Sequence, residues 1–234
     1  MLKNEFLKKY PYKTELHAHS LPVSKCSEFY AQELVDLYSA EGVNTVVLTN
    51  HFTYEHIKDR TKDSFVKEYV DSFRALKECA EAKGMNAIFG MELRFTETSN
   101  DYLVYGITEA DVPVIYDYVV RGLECFYKEF KRDGVLILQA HPGRDRMTAM
   151  DYDLLDGVEA FNMHPGHNPR AALVAQQANA KGKIIVGGSD FHHPNQVGLC
   201  LMRTKAPVTA PDELVRAITS GDYVLDVCGS VILP

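Results

Sequence analysis

Thr14-Glu15-Leu16-His17-Ala18-His19-Ser20 is the stretch on which the reading of this 234-residue chain turns. Read as a strand, it puts side chains two apart on one face, so His17 and His19 point the same way. Two neutral imidazoles side by side suit zinc or a transition metal. One such pair is a weak signal, because nine histidines produce a His-x-His by chance fairly often. The signal gains weight because the same event recurs down the chain. An apolar run ends, and a residue able to ligate a metal stands where it ends.

Outward from that stretch, Thr45-Val46-Val47-Leu48 leads into Thr49-Asn50-His51, and Ala87-Ile88-Phe89 leads into Gly90-Met91-Glu92. Val135-Leu136-Ile137-Leu138 runs into Gln139-Ala140-His141-Pro142-Gly143-Arg144, and the apolar stretch 157–161 into Asn162-Met163-His164. Ile184-Ile185-Val186 meets Gly187-Gly188-Ser189-Asp190-Phe191-His192. Between these runs the spacing predicts helices: 31–40 ahead of Gly42, a long amphipathic one over 62–83 closed by Gly84, and others over 111–130, 169–180 and 211–219. Residues 101–107 and 199–203 read as further strands, the first a possible antiparallel partner.

Continuous apolar strands separated by helices argue for a parallel sheet covered on both sides. Six or seven such units in one domain spanning 1–234 suggest an α/β architecture, a closed or distorted β/α barrel. An open doubly wound sheet is the alternative, but the Gly-x-Gly-x-x-Gly of a dinucleotide fold is absent. In a barrel the strand C-termini gather around one mouth, which brings His17, His19, His51, Glu92, His141, His164, Asp190 and His192 together.

Composition narrows the function. Apolar residues make up 46%, enough for a sizeable core, and no apolar run is long enough to span a bilayer. The start Met-Leu-Lys-Asn-Glu lacks the apolar core of a signal peptide, and five scattered cysteines leave one unpaired in any disulfide scheme, so a reducing cytoplasm is expected. The net charge of −7, with no clustered basic stripe, argues against nucleic acid as the main partner.

Each candidate has an ordinary alternative. His17 and His19 could bond to backbone in a core, His51 could start a helix, His141 could be a loop residue, and Asp190 could cap a turn. Glu92 is harder to dismiss, since a carboxylate at the end of an apolar strand is costly without a cation or donor. His164 and His167 share a Pro/Gly-rich loop, where one of them is expected on the solvated surface, as is His56. A single metal site would account for most of these residues at once.

The motifs His17-Ala18-His19, Thr49-Asn50-His51, Gly90-Met91-Glu92, His141-Pro142 and Ser189-Asp190-Phe191-His192 resemble, in order, those of the PHP (polymerase and histidinol phosphatase) superfamily. The resemblance runs from about residue 13 to residue 198. It implies a distorted (β/α)7-type barrel that holds two or three divalent ions (zinc, manganese or iron) at the C-terminal ends of its strands, and phosphoester hydrolysis as the usual activity. By that likeness His17, His19, Glu92 and Asp190 hold one ion. Glu92 bridges to a second, held by His141 and a residue among 162–164, and His51 and His192 serve a third. Two positions depart from the family pattern. Asn50 stands where an Asp is usual, and Ser24-Lys25-Cys26-Ser27 stands where the loop usually supplies Asp or His, so Cys26 could offer a thiolate.

The expected chemistry follows from the ligand types. Mixed histidine and carboxylate ligation suits Zn, Mn or Fe rather than a Mg or Ca cage. Paired ions generate hydroxide at neutral pH and clamp both oxygens of an in-line displacement. The expected activity is therefore hydrolysis of a small-molecule phosphoester by a metal-bound hydroxide, with His17, His19, Glu92, Asp190 and His192 as its machinery. Arg144 is placed by the turn at Gly143 to fork onto phosphate oxygens. Arg94, Lys25 and His193 are further candidates for binding substrate. Competing classes are a metal-dependent amidohydrolase and a non-catalytic metal- or ligand-binding descendant. No serine or cysteine nucleophile with its base is apparent.

Overall fold

Apolar runs and amphipathic stretches become strands and helices in a computed structural model, which describes residues 2–148 and 151–234. The first part runs α1 (Leu2–Lys9), β1 (Tyr12–Ala18), α2 (Ala31–Ala40), β2 (Thr45–Leu48), β3 (His51–Phe52), α3 (Tyr54–Ile57), α4 (Lys62–Ala82), β4 (Asn86–Phe89), β5 (Met91–Leu93) and β6 (Tyr102–Tyr105). It continues α5 (Val112–Tyr118), α6 (Leu123–Glu129), β7 (Leu136–Gln139), β8 (Gly157–Asn162), α7 (Ala171–Ala180) and β9 (Ile184–Gly188). The last part is β10 (Cys200–Thr204), α8 (Pro211–Ser220), β11 (Val224–Val227) and β12 (Ser230–Ile232).

The described strands form two six-stranded sheets, ordered β12-β11-β10-β1-β2-β4 and β3-β5-β6-β7-β8-β9. Both are mixed, which corrects the all-parallel expectation. The link 94–101 between β5 and β6 contains no helix, so the chain returns antiparallel, and β6 pairs antiparallel with β7 as well. β10 runs antiparallel to β1 and extends the first sheet through β11 and β12, neither of which the sequence reading included.

The expected closed barrel is not assigned as one continuous ladder, yet the two sheets meet on both sides. β2 passes into β3 across residues 49–50, and β4 into β5 across Gly90. A side chain at Gly90 would press within 2.9 Å of Val47, so the crossing admits only hydrogen there. On the other side Phe191 donates its N–H to the His17 carbonyl and accepts from the His19 N–H, each at 3.1 Å, and so ties the end of β1 to the chain just after β9. Every candidate ligand lies at or just past the C-terminal end of a strand.

One helix differs from the sequence reading. The stretch 111–130 breaks into α5 and α6 at Gly122, whose φ is +87°. Glu97 accepts the Leu123 N–H at 2.8 Å and so caps α6, and a Cβ on Gly122 would stand 2.2 Å from that carboxylate. Tertiary capping therefore overrides the local period.

Two apolar layers hold the site in place. Phe65, Tyr69, Phe73 and Leu76 on α4 bury their stripe against Phe52 and Phe89, with Phe52 and Phe65 rings 4.9 Å apart edge to face. Leu16, Val47, Ile88, Leu103, Leu138 and Val186, each from a different strand, form a second cluster. Glu92 is the register partner of Leu103, so the carboxylate rises from the face that carries this second layer.

Candidate metal centre

The end of β1 carries His17 and His19, both wholly buried, with their Nε2 atoms 3.0 Å apart. The shared orientation expected of residues two apart is what the fold holds. Glu92, at 0% exposure, stands among four imidazoles: 3.4 Å from Nε2 of His17 and of His19, 2.6 Å from Nδ1 of His51, and 2.9 Å from Nε2 of His141. Asp190 Oδ1 lies 3.4 Å from His17 and His19 Nε2 and from His192 Nδ1. His17, His19, His51, Glu92, His141, Asp190 and His192, scattered along the chain, thus meet at one mouth. His164 does not join them directly. Its ring stacks on His167 at 4.4 Å and meets the His192 ring edge-on at 5.6 Å, at the rim.

Among the described residues, three groups have ligand atoms mutually within 4.8 Å: His19, His51 and His192; His17, His19 and Glu92; and Glu92, Asp101 and His141. These buried clusters can hold metal ions. Glu92 Oε2 and His51 Nδ1 take no hydrogen bond, although they are 2.6 Å apart. A carboxylate oxygen that close to an imidazole nitrogen needs a proton on His51, which Glu92 favours, or a cation beside the pair. The mix of imidazole and carboxylate donors fits zinc, manganese or iron.

The electrostatics carry the same demand for positive charge. Burial works against a charged His17, yet Glu159, Asp190 and Glu92 outweigh it and hold its pKa well above the ordinary value. His19 goes the other way, pushed down by burial and by the neighbouring His51 and His192. Burial would raise Glu92, but His51 and His17 keep it well below the usual carboxylate range. Without an ion, a proton on His17 supplies part of the charge the carboxylates need.

Several supporting residues escaped the sequence reading. Glu159 on β8 is buried, and accepts from His17 Nδ1 at 2.8 Å, the His141 N–H at 3.0 Å and Asn162 Nδ2 at 2.9 Å. Glu15 accepts from the His17 and Ser189 N–H groups, each at 3.0 Å, and from the Tyr38 hydroxyl at 2.8 Å. Burial nevertheless pushes Glu15 up to about 7. Both are carboxylates set in apolar strands, the signal already read at Glu92. Asp101 gave no such signal. It is forked by Arg94 at 2.6 and 2.7 Å, and its other face lies 3.7 Å from His141 Nε2.

The two departures from the family pattern have local explanations. Asn50 accepts the Ser20 N–H at 2.8 Å and donates to Ser72 at 3.2 Å, so its amide is used on both sides to pin the β2–β3 junction. Ser24 accepts the His51 N–H at 2.9 Å and lies 3.2 Å from His19 Nδ1, which turns His19 Nε2 toward the centre. Although Cys26 is exposed as a residue, its thiol packs among imidazoles: burial raises it, but hydrogen bonds with His192 and His51 prevail and hold it at about 6.

A cleft of about 240 Å³ opens over the cluster, with Arg144, His164, His167 and Cys26 on its rim. Arg144 is half-buried and its guanidinium has no ion-pair partner among the described residues, because Asp145 is taken by Arg170. Arg94 also reaches the cleft, with its charge already matched by Asp101. His193 lines it too but is held by Glu28 at 2.9 Å, and exposed Lys25 lies outside the lining.

A family model described as PHP-associated matches residues 165–223. Curated proteins yield no sequence match. Among solved structures, the fold resembles a two-domain protein of Bacteroides vulgatus ATCC 8482 containing a predicted PHP-like metal-dependent phosphoesterase, at TM-score 0.65 and 18% identity over 94% of this chain and 66% of that one. It also resembles PsfC of Pseudomonas syringae PB-5123 (TM-score 0.57, 16% identity, 88% of this chain and 87% of that one). A third is a proposed metal-dependent phosphoesterase of Bifidobacterium adolescentis ATCC 15703 (TM-score 0.50, 16% identity, 88% and 95%). At these identities the likeness to solved structures is one of fold.

Proposed function

We propose that the chain is a member of the PHP superfamily, on its C-terminal family match and in keeping with its fold, and that it is a metal-dependent phosphoesterase acting on a small-molecule phosphoester. The observation that carries this reading is Glu92: a wholly buried carboxylate ringed by four imidazoles, one oxygen of which accepts no hydrogen bond. His17, His19, Glu92 and Asp190 would hold one ion. Glu92 would bridge to a second shared with His141 and Asp101, and His19, His51 and His192 face a third position. Asn162 is spent otherwise, since its amide nitrogen donates to Glu159 and Asp190 and its oxygen accepts the His164 N–H. The two sheets are read as one distorted barrel, a ring joined across Gly90 and through Phe191.

Bound divalent ions there would supply Lewis acidity and an activated water near neutral pH. The protein's own groups do the rest. The Arg144 guanidinium, unpaired and facing the cleft, can take two outer oxygens of a phosphoryl group in a fork. His192 Nδ1 lies 2.9 Å from the Asp190 carbonyl, and this bond makes Nδ1 the donor and leaves Nε2 as the lone-pair nitrogen. The small cleft, lined by polar and charged side chains, suits a hydrophilic ester better than a lipid or a polymer.

Metal analysis of the purified protein, followed by a phosphoester panel with Mn and Zn added back, tests the reading. The expected result is stoichiometric metal and release of phosphate that stops in excess chelator. A protein that binds neither ion, or keeps full turnover after exhaustive chelation, is not this enzyme.

A further inference from the structure

We propose that Glu159 is the positioning residue of the metal centre, setting the tautomer of His17 and the aim of His141 and Asp190. This rests on the reading of the site as a metal centre. Three donors from three elements converge on this buried carboxylate: His17 Nδ1 from β1, the His141 N–H from the turn after β7, and Asn162 Nδ2 from the end of β8. Asn162 passes the constraint on, since the same amide nitrogen lies 3.2 Å from Asp190 Oδ2. Space for the carboxylate is provided by Gly188, where a Cβ would stand 2.6 Å from Glu159 Oε1 and 2.5 Å from His17 Cβ.

The chemistry of that arrangement is specific. An imidazole that donates from Nδ1 presents Nε2 as a lone pair, and His17 Nε2 is the atom facing Glu92 and Asp190. His141 and Asp190 both have positive φ, +31° and +52°, a region that side-chain-bearing residues adopt only when the surroundings hold them. Glu159 is bonded to the backbone of the first and, through Asn162, to the side chain of the second. A carboxylate accepts from all three donors. An amide in its place cannot: turned toward the His141 and Asn162 N–H groups its NH₂ would meet two donors, so it turns toward His17, where it meets one and forces the proton onto Nε2, toward the ion. Carboxylate partners of metal-bound histidines act in this way in general, and their loss lowers metal affinity about 10- to 100-fold.

The test is E159Q in the full chain, with Zn and Mn affinities measured by competition with a chromophoric chelator. Nitrogen-15 spectra of the histidine rings in the zinc-loaded wild type and variant are recorded alongside. The expected results are an affinity about 10- to 100-fold weaker at unchanged far-UV circular dichroism, and loss of a slowly exchanging His17 Nδ1–H that the wild type shows. Unchanged affinity in E159Q, or weaker affinity with the Nδ1–H signal intact, overturns the assignment. If E159Q does not fold, the wild-type spectrum decides, since zinc bound through Nδ1 of His17 refutes it. A wild type that binds no metal at all sinks the proposed function instead, so the two failures are distinguishable.

Discussion

Arg144 and Asp145 are neighbours in sequence, yet among the described residues only Asp145 has an ion-pair partner, Arg170. Among the described residues Arg144 pairs with neither Asp145 nor Asp151, and its guanidinium is left at the cleft. Arg144→Ala should lower kcat/KM for phosphoesters about 10- to 1000-fold, the loss of one or two charge-assisted bonds, with metal content and Tm unchanged. Loss of metal or of the fold, with normal activity per bound ion, would make Arg144 structural.

A pH effect also belongs to single residues. An unfolded histidine titrates near 6.5, and carboxylates raise His17 well above that in the metal-free fold, against burial. Against burial, Glu92 raises His141, and Cys26 and then Asp190 raise His192, in the same direction. A folded-state pKa above the unfolded one contributes stability that is complete below 6.5 and is lost as pH rises through the folded value. The metal-free protein should therefore lose Tm as pH climbs above 6.5, whereas a metal-loaded sample, whose ions replace those protons, should not. Thermal melts across that window, with chelator and with zinc, read the difference directly.

Among the elements, α4 illustrates how far local pattern reaches. Its apolar stripe was legible from the 3.6-residue period, and Leu76 is buried to 0% exposure where the pattern puts it. Leu76→Ala should cost about 2–5 kcal/mol in urea unfolding of the metal-free protein, the range for a buried leucine whose site cannot collapse. Metal affinity should hardly move, because Leu76 packs in the first apolar layer, apart from the Leu16–Val186 layer on the Glu92 face. The 111–130 stretch shows the opposite case. Its composition suits one helix, but Glu97 reaches Leu123 from a distant loop and cuts it in two. Nothing periodic within 111–130 announces that cap.

For the whole molecule, the consequence of a site assembled from so many elements is linkage between metal and fold. The ends of β1, β3, β5, β7 and β9 all contribute to the site, and His51, Glu92 and His141 each keep a buried atom without a hydrogen bond. Zinc or manganese at a hundredfold excess over its dissociation constant should add about 2.7 kcal/mol per site, seen as a rise in Tm that chelator reverses. A Tm indifferent to metal would mean that the ions do not bind the native state in preference to the unfolded chain.

By itself the sequence determined the alternation of apolar strands and helices and the residue type at each strand end. Both are local properties: strand and helix periods lie within about ten or twenty residues, and a histidine or carboxylate after an apolar run is conspicuous wherever it occurs. His17, His19, Glu92, His141 and Asp190 were legible on that ground. Only the tertiary structure decided that the sheets are mixed, that Arg144 lines the cleft with no ion pair among the described residues, that Asp101 rather than His164 stands beside Glu92 and His141, and that Glu159 lies under His17. The reason is physical. Those facts depend on strand register and on side chains meeting across 142 positions, and no period in the chain encodes such a meeting before the sheets have closed on one another.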